Sequence, residues 1–264
     1  GGAVADTLTG NGGVDTLIGG GGADIFNYVN DADLFSAANA LVDDITGNAG
    51  NDTIRIGGGA AAFNIVAADT LAARTAGVVS ITAQDSAQVI SVIVNDDMFE
   101  EGIIAIDLSG DTDATANNVI DVSNDDTGNN AWALTGSTGI DTITGDSGID
   151  TIIGGGGADI IDGGAGNDPL TGGAGLDVFT ISAGDDTISD LGVGNVNDTV
   201  TVAAGATVVA TVTGNWTAQT ATQNLGSVAA DFRVEVAGAS TVDLDLATVG
   251  AAATGGFTVA STGT

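Results

Sequence analysis

Between residues 136 and 189 an aliphatic or aromatic residue returns at every ninth position, as Ile143, Ile152, Ile161, Leu170, Phe179 and Ile188. Each stands two places after an aspartate: Asp141, Asp150, Asp159, Asp168, Asp177 and Asp186. The first four places of each unit are mostly glycine or small polar residues, as in GGGGADIID and GGAGLDVFT. Glycine-rich places let the backbone take positive φ and turn tightly, and the three residues centred on the apolar one make a minimal strand with its middle side chain pointing one way. Turn, strand, turn, strand is a coil. Two units predict one coil of a flattened right-handed solenoid, apolar residues stacked inside, successive coils about 4.8 Å apart.

A core one side chain thick per strand is thin against the roughly 1–2 kcal/mol per residue needed to order the backbone. Stacking alternate units also lines up Asp141, Asp159 and Asp177 on one edge and Asp150, Asp168 and Asp186 on the other. Such rows repel unless a hard cation sits between the carboxylates and takes turn carbonyls as further ligands. Calcium, with six to eight oxygen ligands in forgiving geometry, suits this better than magnesium.

The same pattern opens the chain. Residues 1–27 read GGAVADTLT, GNGGVDTLI and GGGGADIFN, with Asp6 and Asp24 on one edge, Asp15 on the other, and Leu8, Leu17 and Phe26 inward. Val4 and Asn11 stand where glycine is usual. Residues 28–46 break the register; Asp33 as a cap, followed by Leu34, Phe35, Ala38, Leu41 and Val42, predicts a short helix. The pattern resumes over 47–55 in GNAGNDTIR, making Asp52 a candidate ligand, whereas Asp43 lacks a glycine turn and is left out.

Residues 56–135 have another texture. Bursts such as GVVSITA, QVISVIVN and GIIAIDL, separated by Asp, Asn and Gly, predict strands and turns in a β unit outside the repeat. Trp132 falls where the next aspartate of the ninefold pattern would stand and is expected to cap an open solenoid end. Pro169 enters a strand at a place that tolerates its missing N–H. Residues 190–264 slip out of register and read as a second β unit. A longer echo supports the alternation of blocks: Asn51-Asp52-Thr53-Ile54 returns as Asn197-Asp198-Thr199-Val200. The expected fold is all-β, with calcium-stabilised parallel β-roll blocks alternating with additional β units.

Composition narrows the function. Against 35 acidic residues stand 3 basic ones, a net charge of -32, which disfavours nucleic acid or an anionic membrane as partner. All the acids but Glu100, Glu101 and Glu235 are aspartate, the short carboxylate of turns and calcium loops. The chain has no Cys and no His, which removes disulfides, the usual general base and the zinc and triad chemistries that need histidine. No apolar run reaches membrane-spanning length, so membrane insertion is not expected. Gly1 opens in frame with a repeat and no initiator Met or signal peptide precedes it, so the chain is expected to be a segment of a longer protein.

The nonapeptide G-G-x-G-x-D-x-U-x resembles that of RTX (repeats-in-toxin) proteins, over about a third of the chain. The resemblance implies several calcium ions, bound by turn carbonyls and by pairs of sixth-place aspartates on one edge. The implied pairs are Asp141 with Asp159, Asp159 with Asp177, Asp150 with Asp168 and Asp168 with Asp186. The Ala-, Thr- and Val-rich remainder looks like the body of bacterial surface-layer proteins and large type I secreted adhesins. These likenesses imply a secreted, non-enzymatic structural protein of the cell surface that folds on meeting calcium and contacts copies of itself in a lattice or fibre. A cell-surface glycan is a further candidate partner. The alternative is a folding and secretion module of a larger secreted enzyme, toxin or adhesin.

Overall fold

The structure is a computed structural model that describes residues 1–35, 43–59, 62–65, 75–76, 78–84, 88–94, 103–125, 130–192, 198–203, 206–212, 216–217, 223–224, 231–236, 242–243 and 256–261. Nearly every element is a short strand, and every strand pair is parallel. A 12-stranded sheet runs from Thr7–Leu8 through Ile25–Tyr28, Asp52–Ile56, Val78–Ala83, Ala105–Asp107, Ala133–Thr135, Thr151–Gly156, Pro169–Ala174, Asp185–Leu191, Thr207–Val212 and Asp231–Val236 to Gly256–Ser261. An 8-stranded sheet holds Phe63–Ile65, Ile90–Ile93, Asn117–Asp121, Ile140–Thr144, Ile160–Asp162, Val178–Ile181, Thr199–Val202 and Gln223–Asn224. The chain alternates between the two, which is the parallel β-roll expected from the repeat. At the N-terminal end Thr16–Gly21, Asp44–Ala49 and Thr75–Ala76 form a separate 3-stranded sheet.

Register shows why the repeat folds this way. In the main block Ile152 pairs with Leu170 and Leu170 with Ile188, so one coil takes two nonapeptides. On the facing sheet Ile143, Ile161 and Phe179 stack in the same manner, all fully buried. Their strand neighbours point outward, and Ile160 is 47% exposed. Pro169 opens its strand, at the place where Thr151 and Thr187 each donate an N–H to the preceding coil, so the ladder forgoes one bond there without breaking. At Gly166 the backbone φ is 146°, and a Cβ there would collide with the Gly148 carbonyl of the coil below, so the turn requires glycine. Asn11, the departure noted in the second unit, takes φ 59°, a conformation asparagine tolerates.

The β unit of 56–135 continues the solenoid. Apart from Thr75–Ala76, its strands lie in the same two sheets as the main block, with no break at 55/56 or 135/136. What changes is coil length: Asp24 bonds Asp52 across 28 residues and Thr53 bonds Ser80 across 27. Trp132, expected at an open end, is instead inside the stack and 1% exposed, immediately before the strand Ala133–Thr135 that pairs on both sides. The predicted helix is a single turn, Asp31–Leu34, that begins before Asp33, with Leu34 and Phe35 buried. Ala38, Leu41 and Val42 lie outside the described residues. Among the described residues no helix is long and apolar enough to cross a membrane.

An inner residue and its outward neighbour should therefore differ sharply. Phe179→Ala should cost about 3–5 kcal/mol in urea denaturation with calcium present, and Ile160→Ala no more than about 0.5 kcal/mol.

Candidate calcium site

Each sixth-place aspartate ends a turn and begins a strand, so successive coils bring the carboxylates into rows. Within a row the backbone N–H of one aspartate donates to Oδ1 of the aspartate one coil on. Asp141 donates to Asp159 at 2.8 Å, Asp159 to Asp177 at 2.9 Å and Asp177 to Asp198 at 3.0 Å. On the other edge Asp150 donates to Asp168 and Asp168 to Asp186, both at 2.9 Å. In the first block Asp6 donates to Asp24 and Asp24 to Asp52, each at 2.8 Å. All ten aspartates singled out in the sequence stand in such rows.

Two more were missed. Asp15 finds its partner in Asp43, which is fully buried and accepts from the Asp15 N–H at 2.8 Å. No glycine turn announces Asp43; the nine-residue spacing to Asp52 was its only signal. Asp198 closes the row after Asp177 and accepts a second bond from the Gly192 N–H at 2.6 Å. The sequence echo between residues 51–54 and 197–200 pointed to it.

The second carboxylate oxygen divides the aspartates. Oδ2 of Asp24, Asp52, Asp159, Asp168 and Asp186 is buried without a hydrogen-bond partner. An anionic oxygen buried without a partner is costly and calls for a ligand. The first-place glycine shows where it would lie. A Cβ on Gly154 would collide with Asp159 Oδ2 and lie 2.6 Å from the Gly172 carbonyl oxygen. The same carboxylate-and-carbonyl cradle recurs at Gly136, with Asp141 Oδ2 and the Gly154 oxygen, and at Gly145, with Asp150 Oδ2 and the Gly163 oxygen. Among the described residues no three acidic side chains gather closely enough to hold a metal by themselves. The donors are therefore carboxylate and main-chain oxygens together, a hard, all-oxygen set that fits calcium and not the nitrogen and sulfur sites of zinc. Calcium, when bound, supplies the positive charge these rows lack.

Burial makes the carboxylates hard to ionise without it. Asp159 and Asp186 are pushed up to about 7 by desolvation, with the neighbouring carboxylates of the row adding to the shift. Burial raises Asp141, Asp168 and Asp177 to about 6, against hydrogen bonds that lower them. Asp150 and Asp198 move upward for the same first cause.

Two outcomes follow from this chemistry. Each raised carboxyl holds its proton more tightly folded than unfolded, so its contribution in the ion-free chain is full below the ordinary aspartate range and is lost as pH rises through about 6 to 7. In chelator the main block should be most stable near pH 4 and open by pH 8, with calcium abolishing that loss; circular dichroism against pH reads it. Asp159 and Asp168 each bond to the coils on both sides, whereas Asp141 Oδ2 already accepts from the Ser137 N–H at 2.6 Å. Asp159→Ala or Asp168→Ala should remove about 2 kcal/mol or more of calcium-dependent stability, and Asp141→Ala clearly less; equal losses would contradict the row arrangement.

The family model described as the RTX calcium-binding nonapeptide repeat (4 copies) matches residues 1–35, 39–60 and 135–168. Neither comparison with curated proteins nor comparison with solved structures gives a match. Past residue 168 the rows run on through Asp177, Asp186 and Asp198, the last step lengthened from 18 to 21 residues. Glycine turns, stacked carboxylates and the family match together identify the chain as a carrier of RTX calcium-binding nonapeptide repeats.

Proposed function

We propose that the chain is a calcium-dependent structural element of a bacterial surface layer or matrix. It is exported open, folds outside the cell as calcium fills its edge rows, and assembles with copies of itself. The observation that carries this reading is the unbroken 12-stranded sheet, which joins both carboxylate blocks and the coils between them into one stack. A single folding aid would need one block; a continuous stack suits a load-bearing part. RTX repeats are typical of secreted proteins, and the chemistry explains why. Buried aspartates without counter-charge oppose folding at low calcium, while sites formed only in the folded state turn binding energy into folding energy.

The outer faces of the main block offer surface for contact between copies. Ile149, Ile153, Ile160 and Leu176 are exposed there, between 40% and 57%. The role requires no catalysis, and a chain without histidine lacks the commonest acid–base group.

Sedimentation velocity, first in chelator and then in about 10⁻³ M calcium, the working range of extracellular calcium modules, separates the readings. An expanded monomer that calcium converts into large regular assemblies is the expected result. A compact monomer in calcium would overturn assembly and favour the module that serves the folding and secretion of a larger protein.

A further inference from the structure

The places that hold carboxylates in the two blocks are filled differently between them. On one edge Asp52 pairs in register with Val78, and the row resumes only at Trp132, whose N–H donates to Asp150 as an aspartate would. On the other edge Asp141 pairs with Asn118, whose Oδ1 accepts from the Ile90 N–H, and Ile90 pairs with Phe63. Phe63, Val78, Ile90 and Trp132 are all buried, at most 1% exposed. Apolar side chains thus stand where the blocks set charge against charge.

The buried carboxylates that remain in these coils have protein donors. Asp111 Oδ2 accepts from Asn118 Nδ2 at 2.9 Å. Asp125 Oδ2 accepts from Asn130 Nδ2 at 2.8 Å and from Trp132 Nε1 at 3.1 Å. Among the described residues, the buried carboxylate oxygens without a hydrogen-bond partner lie at Asp24, Asp52, Asp146, Asp159, Asp168 and Asp186, all within the repeat blocks. The core is also thicker here than in the middle of the main block. Ile90, Val92 and Val94 are all fully buried on one pass of the chain, whereas Thr151–Gly156 and Pro169–Ala174 each bury one large apolar side chain, Ile152 and Leu170.

We propose that the coils from Phe63 to Trp132 form a calcium-independent scaffold, which stays folded when the flanking blocks open and serves as the template on which they refold. In a solenoid each coil touches only its neighbours, so stability is local and folding spreads from whichever coils are already formed. The coils of Asp52 and of Asp150 each rest directly on this scaffold, through the Val78 register and the Trp132 N–H. A calcium block therefore does not begin from a free chain. Calcium closes it outward from a face that already presents paired strands.

Hydrogen exchange of the full chain, followed by mass spectrometry at neutral pH, tests this. In chelator, strands Phe63–Ile65, Ile90–Ile93 and Asn117–Asp121 should exchange about a hundredfold more slowly than Thr151–Gly156 and Pro169–Ala174. Millimolar calcium should then slow the latter two. Equal exchange of both groups in chelator would overturn the scaffold. Ile90→Ser should abolish the central protection and raise the calcium needed to protect Thr151–Gly156 severalfold, while Asp159→Ala should leave the central protection in chelator intact. An unchanged calcium midpoint in Ile90→Ser would overturn the templating. The readout is local and independent of whether copies assemble.

Discussion

Aspartate carboxylates are buried one coil apart, with strand spacing of about 4.8 Å between them, and only three arginines in the whole chain to set against 35 acids. Everything else follows from that constraint. The backbone N–H groups satisfy one oxygen of each carboxylate and fix the rows, but they leave the second oxygen of Asp24, Asp52, Asp159, Asp168 and Asp186 without a partner. Desolvation then raises the main-block carboxyls toward neutrality. Only protons or a cation can relieve this. At neutral pH and millimolar calcium the cation prevails, and first-place glycines such as Gly136, Gly145 and Gly154 keep open the cradle it needs.

The same constraint explains the division of the solenoid. The roll has one topology throughout but two ways of holding its edges. In the repeat blocks the edges are ionic, and strands in the middle of the main block, Thr151–Gly156 and Pro169–Ala174, each bury a single large apolar side chain. From Phe63 to Trp132 apolar residues take most of the edge positions, and Asn118, Asn130 and Trp132 donate to the carboxylates that remain. Tyr28 does likewise for Asp43 in the first block, its hydroxyl donating to Oδ2 at 2.9 Å. With the scaffold proposed above, the two kinds of coil respond to calcium separately.

The main block was legible because its period is strict. Inward rows such as Ile143, Ile161 and Phe179 could be written down from spacing alone, as could the pairing of Asp150 with Asp168. Continuity was not legible. A coil of 27 or 28 residues that carries Val78 or Phe63 at the carboxylate place shows no ninefold signal, so the coils after residue 55 read as a separate unit. Trp132 misled for the same reason: a large aromatic residue at an aspartate place suggests an end, yet its ring N–H and backbone N–H bind Asp125 and Asp150 within the stack. Asp43 was hidden because its partner, Asp15, lies across an insertion instead of eighteen residues away.

Anomalous diffraction from crystals grown in calcium tests the central claim most directly. The account predicts peaks in rows along the two edges of the roll, beside the second carboxylate oxygens of Asp159, Asp168 and Asp186 and the neighbouring turn carbonyls. Empty rows, with calcium found only on exposed acids such as Asp44 or Asp185, would contradict it.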